Sequence, residues 1–333
     1  MKINCYSIVI PLYNESEILF SLITELRNEL NNEIKNYEIL LIDDGSQDNT
    51  WQLIQMLSQK YHCVRGYKLS RNYGHQAAIY AGLKLANGQA IGIMDGDGQD
   101  PPSVLIKMFH LLEEGYDVVY GIRQKRKENF LKRSSYFIFY RVFRKITNFN
   151  FPLDSGDFSA MNKKVRDFIV AIDDTTPFIR AYRSWYGGKQ KAIKYDRKAR
   201  EKGQSKYSWF KLTELALNGV TSFSKFPLRF SSLLGGIIAF FSFNYSLFVI
   251  IRKIFFNFPP DGFVTGWASL ITLQAFLGGL IIFSLGIIGE YLSQIYSSTK
   301  KLPIYLIQES TLQSSYSDTK QGENIDYGNR TTF

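Results

Sequence analysis

Apolar and polar positions follow two different periods along the first third of the chain. Short apolar runs at Ser7–Pro11, Tyr37–Ile42, Val64–Leu69, Ala90–Met94 and Asp117–Tyr120 read as strands. Between them Ser16–Leu30, Thr50–Tyr61, His75–Ala86 and a segment near Val104–Glu113 carry helical spacing, with Ser16 a candidate N-cap. Alternating strands and helices predict a mostly parallel α/β sheet covered on both faces. Ligands of such sheets bind beyond the carboxyl ends of the strands. Polar and acidic residues stand at three of those ends: Tyr13-Asn14-Glu15, Asp43-Asp44 and Asp95-Gly96-Asp97.

The pattern then changes. From Arg123 to Lys145, basic residues interleave with aromatic and aliphatic ones, which predicts an amphipathic helix over about 129–147 at a membrane surface. A second basic stretch runs from Lys189 to Lys211 and leads into another interfacial helix over about 208–228. Phe230–Ile251 and Gly262–Gly289 contain no charged residue, and each exceeds the ~20 residues that cross a bilayer. They predict spans over about 230–251 and 266–288, joined by a short link holding Pro259-Pro260. The flanks hold more Lys and Arg than the link, so a domain over 1–228 and the segment 291–333 are expected on the cytoplasmic side of a plasma-membrane hairpin over 229–290. Small residues at Gly235-Gly236 and Gly278-Gly279 offer a face for a homo-oligomer. The tail after Gln308, rich in Ser, Thr, Gln and Asn, is expected to be disordered, at the latest after about residue 310.

Composition narrows the setting. The 333 residues, 45% of them hydrophobic, suffice for a large core, and the net charge of +10 suits anionic lipid or phosphorylated substrates. Nucleic acid is a poor fit, because the basic residues lie beside the apolar spans while acids line the predicted cleft. Two cysteines, Cys5 and Cys63, build neither a disulfide framework nor a zinc site, which suggests a reducing compartment. Met1-Lys2-Ile3-Asn4 runs straight into the first predicted strand, so no signal peptide is expected.

The chemistry concentrates in Met94-Asp95-Gly96-Asp97-Gly98-Gln99-Asp100-Pro101-Pro102. Side chains two apart on an extended strand point the same way, so Asp95 and Asp97 can meet one charged ligand. Two hard oxygen donors beside an open space suit Mg2+ or Mn2+ shared with a diphosphate, which points to a nucleotide-sugar. Gly96 and Gly98 predict a loose loop, and Pro101-Pro102 stops the strand and opens a helix.

Ser7-Ile8-Val9-Ile10-Pro11-Leu12-Tyr13-Asn14-Glu15, Ile42-Asp43-Asp44-Gly45-Ser46, Asn72-Tyr73-Gly74-His75-Gln76-Ala77-Ala78 and Met94–Pro102 together resemble the family 2 glycosyltransferases of GT-A fold. The resemblance extends to Asp154-Ser155-Gly156-Asp157-Phe158, Arg200-Glu201-Lys202-Gly203-Gln204-Ser205-Lys206-Tyr207, Gly289-Glu290-Tyr291-Leu292 and Leu302-Pro303-Ile304-Tyr305. It is greatest to the polyprenyl-phosphate glycosyltransferases. It implies a GT-A, Rossmann-like domain that moves a sugar from a nucleotide-sugar, UDP- or GDP-linked, to the phosphate of a membrane polyprenol, with inversion. It also implies residue roles. Pro11, Tyr13 and Glu15 would line the nucleotide pocket, and Asp44, beside Asp43, would contact base or ribose. Asp95 would hold the ribose or diphosphate region and join Asp97 and Gln99 at the metal. Asp157 stands where the family places a catalytic carboxylate. Arg123, Arg133, Arg200 and Lys206 would face the phosphates of donor and acceptor. The family's usual Asp-Ala-Asp-Leu-Gln is departed from at Gly96 and Gly98, and its basic run after Asp157-Phe158 is replaced by Ser159-Ala160-Met161-Asn162.

Two other readings compete. A processive polysaccharide synthase would carry a Gln-x-x-Arg-Trp motif, which is absent from the chain. A non-catalytic membrane scaffold would have no use for acidic residues at three strand ends.

Overall fold

The computed structural model describes residues 3–123, 155–172, 174, 177–197, 226–256, 267–300 and 302–311. The chain divides into two compact units. One comprises Met1–Lys127, Pro152–Gly203 and Pro303–Phe333; the other comprises Glu128–Phe151 and Gln204–Leu302.

The first unit is built on one sheet. Strands β1 (Tyr6–Leu12), β2 (Tyr37–Asp43), β3 (Val64–Leu69), β4 (Ala90–Ile93) and β5 (Val118–Arg123) alternate with helices α1 (Ser16–Glu33), α2 (Thr50–Lys60), α3 (His75–Leu85) and α4 (Pro102–Glu113). Then follow β6 (Ser155–Asn162), α5 (Lys163–Ala171), α6 (Ile179–Tyr186) and β7 (Gln190–Tyr195). A last strand, β8 (Ile307–Ser310), returns to the sheet edge. The order is β7-β5-β6-β4-β1-β2-β3-β8. β1 pairs in parallel with β2 and β4, β2 with β3, and β5 with β7. β6 runs antiparallel between β4 and β5, and β8 antiparallel to β3.

The apolar strands are buried on both faces, as their unbroken hydrophobic runs require. Ile8, Ile10, Ile39 and Leu41 pack with Leu19, Ile23, Leu26 and Leu30 of α1. On the opposite face α3 approaches so closely that Gly82 lies against Val9 and Ile42. Each fully buried Ile or Leu contributes about 1.5–3 kcal/mol relative to exposure.

The structure corrects four expectations. Ser16 is not the cap of α1: the N-cap position is Glu15 and no side chain there closes the turn. The Ser16 amide instead donates to Asp48 Oδ2 at 3.2 Å, and the Glu15 amide to Thr50 Oγ1 at 3.0 Å, so Asp48 in the loop after β2 and Thr50 at the head of α2 cap α1. Order in the tail continues past Gln308, because β8 pairs with β3 and the Thr311 amide donates to the Gly66 carbonyl at 3.0 Å. The fifth strand runs on to Arg123 because β7 pairs along it. The loop holding Gly96 is not loose, since Gly96 is buried and a Cβ there would lie 2.8 Å from the Pro11 carbonyl oxygen.

In the second unit, α7 (Phe226–Phe256) and α8 (Trp267–Thr299) are long helices, with Ser231 Oγ 2.9 Å from Ser284 Oγ. Among the described residues one helix is long and apolar enough to cross a membrane, over Phe276–Ser293 at mean hydropathy 1.7. A Cβ at Gly235, Gly236, Gly278 or Gly279 would meet nothing within 4 Å. The basic amphipathic helix over 129–147 and nearly all of that over 208–228 lie outside the described residues.

Candidate active site

The carboxyl ends of β1, β2 and β4 meet along one edge of the sheet. The first two are zipped together locally. Asn14, in the left-handed region at φ 55°, donates its amide to Ser46 Oγ at 2.9 Å, and its Oδ1 accepts from Gln47 N at 2.8 Å. Pro11 is buried in β1, Tyr13 is exposed beyond it and Glu15 is half-buried. Asp43 is fully buried; its Oδ1 accepts from the Ser46 amide at 2.9 Å, and its Oδ2 has no hydrogen-bond partner among the described residues. Asp44 accepts from the amides of Tyr73 and Gly74 at 2.7 and 2.9 Å, tying the end of β2 to the loop that opens α3. Burial raises both carboxyls above their ordinary pKa, against the pull of those donors.

Antiparallel β6 completes the cluster. Its first residues lie at the same edge as the last residues of β4 and β5, because Ser159 pairs with Ile93 and Ser155 with Ile122. Asp157 therefore arrives near Asp95, which follows β4. The two are bridged by His75, at the first position of α3, whose Nε2 is 3.3 Å from Asp157 Oδ2 and 3.5 Å from Asp95 Oδ1. Desolvation opposes the His75 charge, but the two carboxylates outweigh it and raise its pKa.

Asp157 is buried and held by a fork. Arg180, on α6, donates Nε to Oδ1 at 2.7 Å and Nη2 to Oδ2 at 2.6 Å. Burial alone would raise the Asp157 pKa, yet Arg180 and His75 hold it well below the usual carboxylate range. One helical turn on, Arg183 is fully buried, donates Nη2 to the Gly156 carbonyl at 3.3 Å and stands 5.4 Å over the Tyr120 ring. Its desolvation lowers its pKa to about 10.

The remaining carboxylates share a second arginine. Arg197, two residues past β7, places Nη2 3.3 Å from Asp95 Oδ2 and 3.0 Å from Asp97 Oδ2. Its Nε stands 3.8 Å from Asp100 Oδ1. Asp100 is buried, accepts from Tyr195 Oη at 2.8 Å, and is pushed up to about 7 by burial and by the charge of Asp95. Burial also raises Asp95, reinforced by Asp157 and Asp97 and opposed by His75 and Arg197. Arg123 ends β5 and keeps its charge despite burial, stabilised by Tyr195, Asp100 and Asp95.

The residues fit a divalent cation. Oδ2 of Asp95 and Oδ2 of Asp97 already converge on one positive nitrogen, and Asp95 Oδ1 accepts no hydrogen bond among the described residues. The Gln99 amide donates to Asp97 Oδ1 at 3.2 Å, which brings Gln99 beside the pair. No group of three or more His, Cys, Asp or Glu forms a ready cage among the described residues. Mg2+ and Mn2+ sites need none, being made from one or two carboxylates plus substrate phosphates.

The matching proteins decide the family. Residues 7–169 match the model of glycosyl transferase family 2. An uncharacterized glycosyltransferase, YkcC, of Bacillus subtilis (strain 168) is 39% identical over 92% of this chain and 94% of its own length. A prophage bactoprenol glucosyl transferase homolog of Escherichia coli (strain K12) is 35% identical over 91% of this chain and 98% of its own. The chain belongs to glycosyl transferase family 2. Among solved structures, glucosyl-3-phosphoglycerate synthase from Mycobacterium tuberculosis, in complex with Mn2+, uridine diphosphate and glucosyl-3-phosphoglycerate, has a TM-score of 0.47 and 14% identity, covering 66% of this chain and 78% of that one.

In this family 2 glycosyltransferase the edge brings together Asp95, Asp97 and Asp157, with Arg123 close to them. Arg133, Arg200 and Lys206 lie outside the described residues. Sequence reasoning assigned no role to His75, Asp100, Arg180, Arg183, Tyr195 or Arg197. For Arg180 and Arg183 the available signal was their spacing of three, which puts both on one face of a helix. Arg197 lies within the basic stretch Lys189–Lys211, where nothing in the local sequence sets it apart from its neighbours.

Proposed function

We propose that this glycosyltransferase moves a sugar, with inversion, from a UDP-sugar to the phosphate of a membrane polyprenol such as undecaprenyl phosphate. The observation that carries the reading is the meeting of Asp95, Asp97 and ionised Asp157 at one sheet edge. The bactoprenol glucosyl transferase relatives support the acceptor class.

In this reading Pro11, Tyr13, Glu15 and Asp44 line the nucleotide pocket, and Asp43 holds the turn beside it. Asp97, Asp95 and Gln99 hold Mg2+ or Mn2+. When bound, that ion neutralises charge developing on the leaving diphosphate. Arg123 offers a further cation there, and Arg133, Arg200 and Lys206, placed by motif alone, serve donor and acceptor phosphates. The nucleophile, a lipid-phosphate oxygen, is already ionised near neutral pH and needs no strong base. Asp157 is accordingly not a proton acceptor: it is fixed and negative, suited to orienting the donor and stabilising positive charge on the sugar ring. His75 bridges Asp157 to Asp95 and so keeps the two halves of the site in register.

The membrane placement follows the acceptor. Helices α7 and α8 would form a transmembrane hairpin in the plasma membrane with the sheet unit on the cytoplasmic side. The support is two charge-free stretches and the unburied Phe276–Ser293 segment. The small faces at Gly235-Gly236 and Gly278-Gly279 would let copies associate.

The test is release of nucleoside diphosphate by the full-length protein in detergent or nanodiscs, given a short polyprenyl phosphate, Mn2+ or Mg2+, and a panel of UDP- and GDP-sugars. Release that needs both lipid phosphate and metal is expected with a UDP-sugar. Release without lipid phosphate, or none from any donor by folded protein, would overturn the reading.

A further inference from the structure

Among the described residues Arg180 and Arg197 both hydrogen-bond carboxylates of this site, and they hold them differently. Arg180 applies a fork to one carboxylate, with two short parallel bonds at 2.6 and 2.7 Å. Such a grip is specific in geometry and hard to replace. Arg197 offers a single nitrogen, Nη2, to oxygens of two different carboxylates at 3.0 and 3.3 Å. Its Nε makes no hydrogen bond among the described residues. In this contact the guanidinium acts as a point charge. It keeps two acidic side chains together that would otherwise repel.

We infer that Arg197 competes with the divalent cation for Asp95 and Asp97, and that it is displaced when the metal and diphosphate bind. The inference rests on the metal-assisted reading above. Any cation that bridges these oxygens takes the place now filled by Arg197 Nη2. A divalent ion has twice the charge and prefers hard oxygen donors, so with a diphosphate supplying further oxygens it outcompetes one unforked nitrogen. The backbone just before Arg197 is anchored, since Tyr195 pairs with Arg123 across β7 and β5. The long side chain is only partly buried and can turn about its own bonds. Displaced, it remains tethered at the site as a cation for the donor's diphosphate. Arg197 thus keeps the acidic pair neutralised before the metal arrives, and serves the leaving group afterwards.

The opposite signs of its two roles give the test. Mn2+ binding is titrated on the full-length protein by the electron paramagnetic resonance of free Mn2+, first without nucleotide and then with UDP. Arg197→Gln is expected to bind Mn2+ alone about tenfold more tightly than wild type, a size typical of coupled sites. The same variant is expected to bind UDP several-fold more weakly at saturating Mn2+. Arg197→Lys, which keeps the charge, should restore wild-type Mn2+ affinity and guards against a folding defect. Asp97→Asn serves as the control and should lose Mn2+ binding. If Asp97→Asn binds Mn2+ normally, the metal assignment fails and this inference with it. If Asp97→Asn loses Mn2+ while Arg197→Gln binds it no more tightly than wild type, only the role of Arg197 is overturned.

Discussion

Arg180 closes on both oxygens of Asp157, Nε on Oδ1 at 2.7 Å and Nη2 on Oδ2 at 2.6 Å, and so decides the protonation state of the carboxylate. The folded pKa is depressed, so the charge contributes stability above the unfolded value of about 3.9. That contribution is lost only as pH falls through the still lower folded value. Arg180→Lys keeps a positive charge but cannot form the fork. It is expected to lower kcat by on the order of 100-fold with little change in donor KM, because the carboxylate loses its aim. Wild-type kcat/KM should show no acid limb from Asp157 between pH 5 and 8. A limb near neutrality that moves in Arg180→Lys would contradict the assignment.

Asp48 is a stability determinant outside the chemistry. It accepts from the Ser16 amide at 3.2 Å and from the Thr50 amide at 3.0 Å, serving the first turns of both α1 and α2. Asp48→Ala should cost about 1–2 kcal/mol at neutral pH, the usual cost of a lost cap. Burial opposes its charge, but the donors win and its pKa is lowered. The contribution is therefore full above about pH 4 and disappears as pH falls through the folded value. Chemical denaturation at pH 7 and pH 3 checks this: the gap between wild type and variant should narrow at pH 3.

Gly96 and Gly98 are small for different reasons. At Gly96 an added Cβ would stand 2.8 Å from the Pro11 carbonyl oxygen and 2.4 Å from Leu12 Cδ2. At Gly98 the constraint is φ +69°. Gly96→Ala is expected to cost about 1–3 kcal/mol by overpacking and to weaken UDP binding, since β1 and the acidic loop must part. Gly98→Ala should cost about 1–2 kcal/mol from the left-handed backbone, and Ile18 Cγ2, 3.1 Å from the added Cβ, must also give way. Thermal melting with and without UDP and Mn2+ separates them; equal loss of UDP affinity in both would refute the distinction.

The returning strand β8 makes a further prediction. Glu309 accepts from Trp51 Nε1 at 2.9 Å and pairs with Lys68 at 3.6 Å, while Thr311 exchanges bonds with Gly66. Glu309→Ala should cost about 0.5–1.5 kcal/mol, since the carboxylate is half-exposed and solvent screens its charge, and should change the Trp51 environment. Truncation after Leu306 should do more, because it bares the edge of β3, and exposed edges aggregate. Size-exclusion profiles of the truncated protein check this. A monodisperse protein with wild-type melting would show that β8 is dispensable.

Much of this was legible in the chain itself. Runs such as Ile39-Leu40-Leu41-Ile42 are too apolar for anything but a strand buried on both faces, and β1 to β4 with their helices follow from such periodicity. Asp95 and Asp97 were legible because strand pleating and the rule of carboxyl ends place them together without knowledge of distant contacts. β6 was not: Ser155-Gly156-Asp157-Phe158-Ser159-Ala160 lacks a clear apolar pattern and is extended because it is held between β4 and β5. Nor was β8, whose Ile307-Gln308-Glu309-Ser310 has a disordered-looking composition and gains order from the free edge of β3.

Local sequence by itself determined the parallel half of the sheet, the acidic loop after β4 and the family of the chain, because each depends on residues close in sequence or on motif order. Tertiary structure alone decided the electrostatics. Arg180 and Asp157 are 23 residues apart, and Arg197 and Asp97 100 apart, and no local pattern announces either pair. Their meeting depends on an antiparallel strand inserted into a parallel sheet. Whether a carboxylate there is a base, a metal ligand or a fixed charge is set by which cation the fold delivers to it.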